Sequence, residues 1–505
     1  MTPFEGITLS QLGGAPALQK HPIFGKYALG ELLRHKGDGY AWAKGIHLYS
    51  ELRPVEGLEI AQTDEAARTY LRVIEEYTHA GIAAASLFGL ELLELQGNVL
   101  HFHKDGDNVE EAAIAALQFS HIFTKVLYET LAEDLGDNWR GFAICMDHGD
   151  SIIVRRGKAS NSSAVSLGPS ANRPAKRLLY GKTPAGHAEI PGSWAASLVG
   201  TPCRNAWFAI NLRDRDELSI LNSFENAELE SQLRGILNTY RLNRTLMANR
   251  SQPVVLVNAS DLVDQGNFST DQPLRMRAFC MRVDLDGFSS IVERAFARGD
   301  DAVEAIAKGF IRILEFGDYF EKRHYGVVRL PWAGDCVAFL IPPTADLQSF
   351  RGKEWIQFVE EWQTFGANTP DGQKHHWAAI FSNVSWAVGI TYAGDGCCLV
   401  APVSALSRKF LIGAGAPLAI AHDAEHLGKG GETIIHSTDH QSCFPTIRAL
   451  FSKMAGTEFW QTKEITLKKV RDAALEAGKS ENASKIQIVE KAKTITVPPP
   501  RPYCK

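Results

Sequence analysis

The chain has 505 residues, 45% of them hydrophobic and 22% charged, with a formal net charge of -5. That length suits three or four units of ordinary size or two larger ones, and the composition is that of a soluble globular protein. The acidic balance excludes bulk nucleic-acid or anionic-membrane binding as the main role, so any anionic ligand must be held by a local site.

The best apolar stretch, Ala80 to Leu95, is interrupted by Glu91 and Glu94, so no membrane partner is expected. The first residues lack the basic and then apolar order of a signal peptide. Eight cysteines are scattered with no C-x-x-C pair, and only Cys397 and Cys398 adjoin. This pattern argues against a zinc site or disulfide framework, and the cytoplasm is the expected compartment.

In chain order, an N-terminal extension (1–34) precedes a first domain (35–247). Lys44 to Tyr49 reads as a strand, and Ala66, Tyr70, Val73 and Ile74 lie on one helical face. Glu91–Leu95 and Val99–His103 flank the turn residues Gly97 and Asn98. A helix from about Val109 to Leu131 follows, then strands at Phe142–Met146 and Ser151–Val154, and then Gly168-Pro169-Ser170-Ala171-Asn172. Turn formers and polar residues over 248–272 suggest a linker.

The second domain (273–440) repeats that order. Met276 to Asp284 has strand length, and Ser290 with Glu293 offers a capping box. Val303, Ile306, Ala307, Phe310, Ile313 and Leu314 recur at helical spacing. Strands are expected at Tyr325–Leu330 and Asp335–Ile341, a helix over Glu354–Phe365, strands at Trp386–Tyr392 and Cys397–Val400, and another helix from near Val403. Gly97 and Gly334 lie 237 positions apart, and Asn172 and Ser404 lie 232 apart, so a duplication is inferred. Residues 441–505, ending in a proline-rich run, read as a tail.

Two acidic motifs carry the chemistry: Arg282-Val283-Asp284-Leu285-Asp286-Gly287-Phe288-Ser289 and Trp332-Ala333-Gly334-Asp335. Each sets an aspartate on an apolar strand, where a carboxylate is costly unless its charge is balanced. An EF-hand fails on spacing, because its glycine stands sixth and here glycine is fourth. Haloacid-dehalogenase-like phosphatases share the Asp-x-Asp-Gly start, but Phe288 stands where they carry threonine or valine, and Cys336–Leu340 lacks their later acid.

The closer resemblance is to class III nucleotidyl cyclases. Their first signature, Phe-x-Asp-x-x-Gly-Phe-Thr/Ser, is similar to the segment Arg282 to Ser289, and their hairpin Gly-Asp to Gly334-Asp335. The resemblance implies that Asp284 and Asp335 hold two divalent ions, manganese or magnesium, with a backbone carbonyl from Leu285. It also implies that the amides of Gly287, Phe288 and Ser289 cradle a triphosphate. A third signature, Gly-x-x-Val-Asn-x-Ala-x-Arg, resembles Gly168 to Arg177. By it Asn172 orients the ribose, and Lys176, or Arg177 beside it, balances transition-state charge. Lysine for arginine forfeits the planar fork.

The first half offers Tyr49 and Ser50 at the first metal position and Asn98 at the second. The second half offers Ser404 and Arg408 in the clamp. The resemblance therefore implies an α+β fold, two ferredoxin-like cyclase domains forming an intramolecular pseudo-heterodimer, with one competent site and one vestigial site. It implies a monomer whose partner is a nucleoside triphosphate, with a cyclic nucleotide acting downstream.

Two positions that read the base in the family correspond to Glu94 and Val165, a pair that fits neither adenylyl nor guanylyl cyclases. Glutamate can accept a hydrogen bond from guanine, cytosine or uracil, so chemistry alone leaves the base open. The overall pattern resembles the pyrimidine cyclases of bacterial Pycsar anti-phage systems, which make cyclic UMP or cyclic CMP. UTP is favoured on that resemblance, then CTP. Tyr49 either narrows the pocket or packs in the core, and packing is preferred.

Overall fold

The computed structural model describes residues 25–34, 38–53, 61–135, 141–156, 163–179, 181–199, 203–212, 227–248, 255–257, 273–324, 326–341, 354–363, 385–392, 396–405, 408–463 and 465–480. Its first half opens with β1 (Gly25–Lys26) and α1 (Leu29–Arg34), which pack on β2 (Gly39–Arg53). There follow α2 (Asp64–Leu87), β3 (Glu91–Gln96), β4 (Val99–Asp105), α3 (Val109–Leu135), β5 (Gly141–Arg156), β6 (Ser163–Leu167), α4 (Pro169–Leu179), β7 (His187–Pro191), α5 (Gly192–Val199), β8 (Trp207–Asn211) and α6 (Ala227–Ala248).

Next come β9 (Val255–Val257), β10 (Leu274–Met276), β11 (Phe279–Asp286), α7 (Phe288–Arg298), α8 (Asp300–Arg323), β12 (Val328–Arg329), β13 (Val337–Ile341), α9 (Glu354–Gln363), β14 (Ser385–Thr391), β15 (Cys398–Ala405), β16 (Arg408–Ala414) and α10 (Ala416–Leu427). The chain closes with β17 (Glu432–His436), α11 (Ser437–Ser442), α12 (Pro445–Arg448), β18 (Ser452–Lys453), β19 (Phe459–Lys463) and α13 (Leu467–Ser480).

The first sheet runs β3-β4-β2-β5-β7-β8, and the second runs β12-β13-β11-β14-β17-β19-β18. In each half a strand–helix–strand–strand–helix–strand unit forms an antiparallel sheet whose strands, numbered within the unit, lie in the order 2-3-1-4. That is the ferredoxin-like arrangement. Each unit then adds a strand parallel to its fourth (β7 on β5, β17 on β14) and one antiparallel strand beyond it (β8, β19).

The halves are locked by exchanged hairpin arms. Ile152, Val154, Val165 and Leu167, from β5 and β6, are buried in the second half's core with Phe288, Phe310 and Trp332. Leu399, Ala401, Val403, Phe410 and Ile412, from β15 and β16, are buried in the first half's core with Tyr70, Ile74 and Tyr77 of α2. Arg156 adds an ionic clamp: its guanidinium meets Asp38 at 2.6 Å and, across the junction, Glu315 at 3.1 Å and Asp318 at 2.8 Å. Among the described residues no helix is long and apolar enough to cross a membrane.

Several expectations are corrected. Residues 147–150 read as a break, yet β5 is continuous, because β2 pairs with it from Gly39 to Arg53. The stretch 248–272 contains strand β9, parallel to β10, and 249–254 and 258–272 lie outside the described residues. Residues from 441 onward are not simply a tail, since β19 pairs with β17 as β8 does with β7; residues 481–505 lie outside the described set. Part of the 1–34 extension joins the first sheet through β1. Ser290 and Glu293 fall inside α7 rather than capping it, because left-handed Gly287 (φ 82) starts the helix earlier. The helix expected near Val403 is strand β15, paired along its length with β16. The helix itself starts at Ala416, with Pro417 in its first turn.

Candidate active site

Alternation along β11 sets the site. Phe279, Met281, Val283 and Leu285 point into the core, while Arg282, Asp284 and Asp286 face the other way, toward α10. Leu285 is therefore buried, and only its main chain is available to a ligand. Asp286 is tied down by the Gly430 amide, which donates to its Oδ2 at 2.9 Å. At the strand's end Gly287 turns the chain, and Phe288 anchors the start of α7 against Phe310, ring centroids 5.2 Å apart. The first amides of α7 are thereby presented around Ser289.

Asp335 sits in a two-residue turn. Ala333 and Cys336 exchange backbone hydrogen bonds of 2.8 and 3.1 Å, with Gly334 at φ 65. Both aspartates are half-buried. Burial, then the nearby Glu425 carboxylate, pushes Asp284 up to about 7. Burial, then Asp284 itself, pushes Asp335 well above the usual carboxylate range. The Asp284 carboxylate is thus close enough to Asp335 to act on it electrostatically. The Lys176 ammonium counters both shifts, and Arg282 counters that of Asp284.

Lys176 comes from α4 of the other half. Its Nζ donates to Ser289 Oγ at 2.9 Å, joining the clamp helix to the start of α7. Arg177, one residue on, points elsewhere: it makes two 2.7 Å hydrogen bonds to buried Glu189, which also accepts from Thr183. It is held by that pair and by the Trp207 ring, centroid 5.7 Å away. Asn172 lies one helical turn before Lys176, on the same face and half-buried.

The expected base-reading residues are more enclosed. Glu94 is 4% exposed, and its Oε2 accepts from Gln96 at 2.8 Å. The same Gln96 amide donates to the Trp332 carbonyl of the other half at 2.8 Å. Tyr49 is buried and stacked on His101, with centroids 4.0 Å apart and planes 11° apart. Burial and Glu94 raise its phenol well above the ordinary value. Val165 is 1% exposed within the second core, which agrees poorly with direct contact to a ligand.

One neighbour, Glu425, went unnoticed in the sequence, and Arg282 and Cys336 were given no role there. Arg282 Nε lies 3.2 Å from Glu425 Oε2 and donates to Cys336 Sγ at 2.9 Å. One buried ion pair therefore underlies both metal-position acids. Arg282 stood in view inside the motif, and Gly415 with Pro417 marked the start of the helix bearing Glu425.

The register also revises the vestigial side. Ser50 pairs with Leu100 and Val283 with Val337, each partner three residues beyond its hairpin glycine, Gly97 or Gly334. The next residue along is Glu51 in one half and Asp284 in the other, and these lie opposite Ala143 and Ala387. At the position equivalent to Asp284, where a metal ligand was expected, the first half therefore does carry a carboxylate, Glu51 rather than Tyr49 or Ser50. Arg53 binds it at 3.0 Å. Asn98 keeps the second position and donates to the Leu52 carbonyl at 2.6 Å.

In the clamp, Gly415 matches Gly168. Each precedes its helix at positive φ (130 and 155), and a Cβ there would lie 2.5 Å from the Cys397 carbonyl oxygen or 2.8 Å from that of Asp150. Counting from those glycines, Ala419 stands for Asn172 and Asp423 for Lys176. Ser404 and Arg408 belong instead to strands β15 and β16.

No protein-family model matches the sequence, and no curated protein does. Among solved structures, a class III adenylyl cyclase-like ATP-binding protein from Pseudomonas aeruginosa is similar over 92% of this chain and 96% of its own, at 14% identity and a TM-score of 0.65. A guanylyl cyclase matches 32% of this chain and 80% of its own, at 16% identity and a TM-score of 0.26. An adenylyl cyclase from P. aeruginosa matches 31% of this chain and 81% of its own, also at 16% and 0.26. The first likeness, over nearly the whole chain, gives the fold: two class III cyclase-like α+β domains paired within one chain.

Proposed function

We propose that this chain is a nucleotidyl cyclase that converts a nucleoside triphosphate to its 3′,5′-cyclic monophosphate and pyrophosphate. The observation that carries the reading is the Lys176–Ser289 hydrogen bond, which brings a cation from one half to the helix start beside Asp284 and Asp335 of the other. The ribose 3′-oxygen attacks the α-phosphorus, its proton leaves to solvent, and pyrophosphate departs.

The donor set suits two divalent ions. Asp284, Asp335 and Glu425 crowd Arg282 and Lys176, leaving more carboxylate than cation, and their oxygens match magnesium or manganese. Asp284, Asp335 and the Leu285 carbonyl would hold them. Bound there, the ions supply Lewis acidity at the 3′-oxygen and the triphosphate. Lys176 balances charge building on the α-phosphoryl group, and the amides of Gly287, Phe288 and Ser289 receive the phosphates. Asn172 orients the ribose.

For the base, UTP is the favoured substrate and CTP the next. The support is the resemblance to pyrimidine cyclases, together with a buried Glu94 carboxylate able to accept from a ring N–H. On that reading the product is a second messenger of anti-phage defence. A second reading is a nucleotide-binding module without turnover, favoured by the description of the whole-chain structural neighbour as ATP-binding.

One assay separates the two: manganese-dependent pyrophosphate release with each of UTP, CTP, ATP and GTP. The cyclase reading expects turnover of UTP above the others, abolished in Asp284→Ala and Asp335→Ala with the fold intact. Equal activity in those variants sinks the metal assignment. Nucleotide binding without pyrophosphate favours the module.

A further inference from the structure

We propose that His422, Glu425 and His426 form a third metal site, distinct from the Asp284–Asp335 pair and selective for a transition ion such as zinc. The three lie on α10 at positions i, i+3 and i+4, which share a helical face. His422 Nδ1 is 3.8 Å from Glu425 Oε2, and one ligand atom from each of the three residues lies within 4.8 Å of the others. A tetrahedral ion with bonds of about 2.1 Å wants its donors roughly 3.4 Å apart, a closure that small side-chain rotations supply. Two imidazole nitrogens and one carboxylate oxygen suit zinc, cobalt, nickel or copper, whereas magnesium prefers oxygen.

Two further observations point to a ligand. His422 Nδ1 is buried with no hydrogen-bond partner, a state that proteins avoid and that a metal bond relieves. Asp423, between the ligands, is close enough to act electrostatically on both imidazoles and adds negative charge beside the ion. Opposing them is Arg282, 3.2 Å from Glu425 Oε2, so the ion must take the other carboxylate oxygen or displace the guanidinium. Counting from Gly168 and Gly415, the first half's α4 has Ala175, Leu178 and Leu179 at the same positions. The ligand set is thus peculiar to this half and is not part of the duplicated scaffold.

Cobalt(II) is the probe. The full chain, stripped with EDTA, is titrated with cobalt, and the visible absorption of low-coordinate cobalt is followed, with zinc added afterwards to displace it. The site predicts one equivalent of zinc-displaceable signal, kept in the Asp284→Asn/Asp335→Asn double variant and weakened at least tenfold in His422→Ala and in His426→Gln. His426 is exposed, so its variant remains informative if the His422 change perturbs folding. A signal that survives both histidine changes, or that vanishes with the two aspartates, overturns the assignment. The measurement needs no turnover, so a failed cyclase assay leaves it standing.

Discussion

Asp284→Asn tests the electrostatic argument directly. The Asp284 carboxyl is raised from 3.8 to about 7, chiefly by burial. The folded state therefore holds its proton more firmly than the unfolded chain does, and stability falls as pH rises from about 4 to about 7. At 1.36 kcal/mol per unit the shift sets a ceiling of roughly 4 kcal/mol on what ionisation costs the metal-free protein. The side chain is partly exposed, and screening and relaxation reduce this to about 1–2 kcal/mol. Asparagine removes the charge at nearly constant volume, so in EDTA at pH 8 the variant of this 505-residue chain should melt above the parent by roughly 1–2 °C. Manganese should then stabilise the parent and do little for the variant. Scanning fluorimetry of both proteins, at pH 5 and 8, with EDTA and with manganese, reads all of this. A variant that melts below the parent in EDTA at pH 8, or that gains as much from manganese, would refute the picture of a strained, metal-requiring carboxylate.

Lys176→Ala should cut kcat for pyrophosphate release about a hundredfold or more, with a smaller change in KM and a slightly lower melting temperature in EDTA, since the ammonium offsets the aspartate charge. Arg177→Ala should do the reverse: it strands buried Glu189 and lowers stability by about 3–5 kcal/mol in thermal or urea melts, with activity per folded molecule largely kept. Asn98→Asp placed in the inactive Asp284→Asn background should restore no turnover, because α10 offers Ala419 and Asp423 where α4 offers Asn172 and Lys176; recovery of product would show that the second site needs only an acid. A chain stopped at residue 440 lacks β19 and exposes the edge of β17, so it should be insoluble or melt far below the full chain by circular dichroism.

The two acidic motifs and the repeated order of elements were legible in the sequence because both rest on local features. Asp284 stands out as an acid near the end of an apolar strand and Asp335 as an acid in the turn before one, with Gly287 and Gly334 at positive φ. Asn172 and Lys176 share a helical face by spacing alone. Such relations need only the periodicity of one element.

What crosses from one element to another was not legible. Only the register of β2 against β4 and β5 shows that Glu51, not Ser50, matches Asp284, since a slip of one residue turns a side chain to the opposite face. Only the course of the chain through β15 and β16 moves the second clamp helix to Ala416. The choice between Lys176 and Arg177 was likewise made in three dimensions, where Glu189 takes the arginine and Ser289 meets the lysine. Sequence set out the residues of the proposed metal-and-phosphate site and divided them between two halves. Which side chains meet there was decided by packing across the halves, because partners such as Arg282 and Glu425, far apart in the chain, are neighbours only once α10 lies on β11.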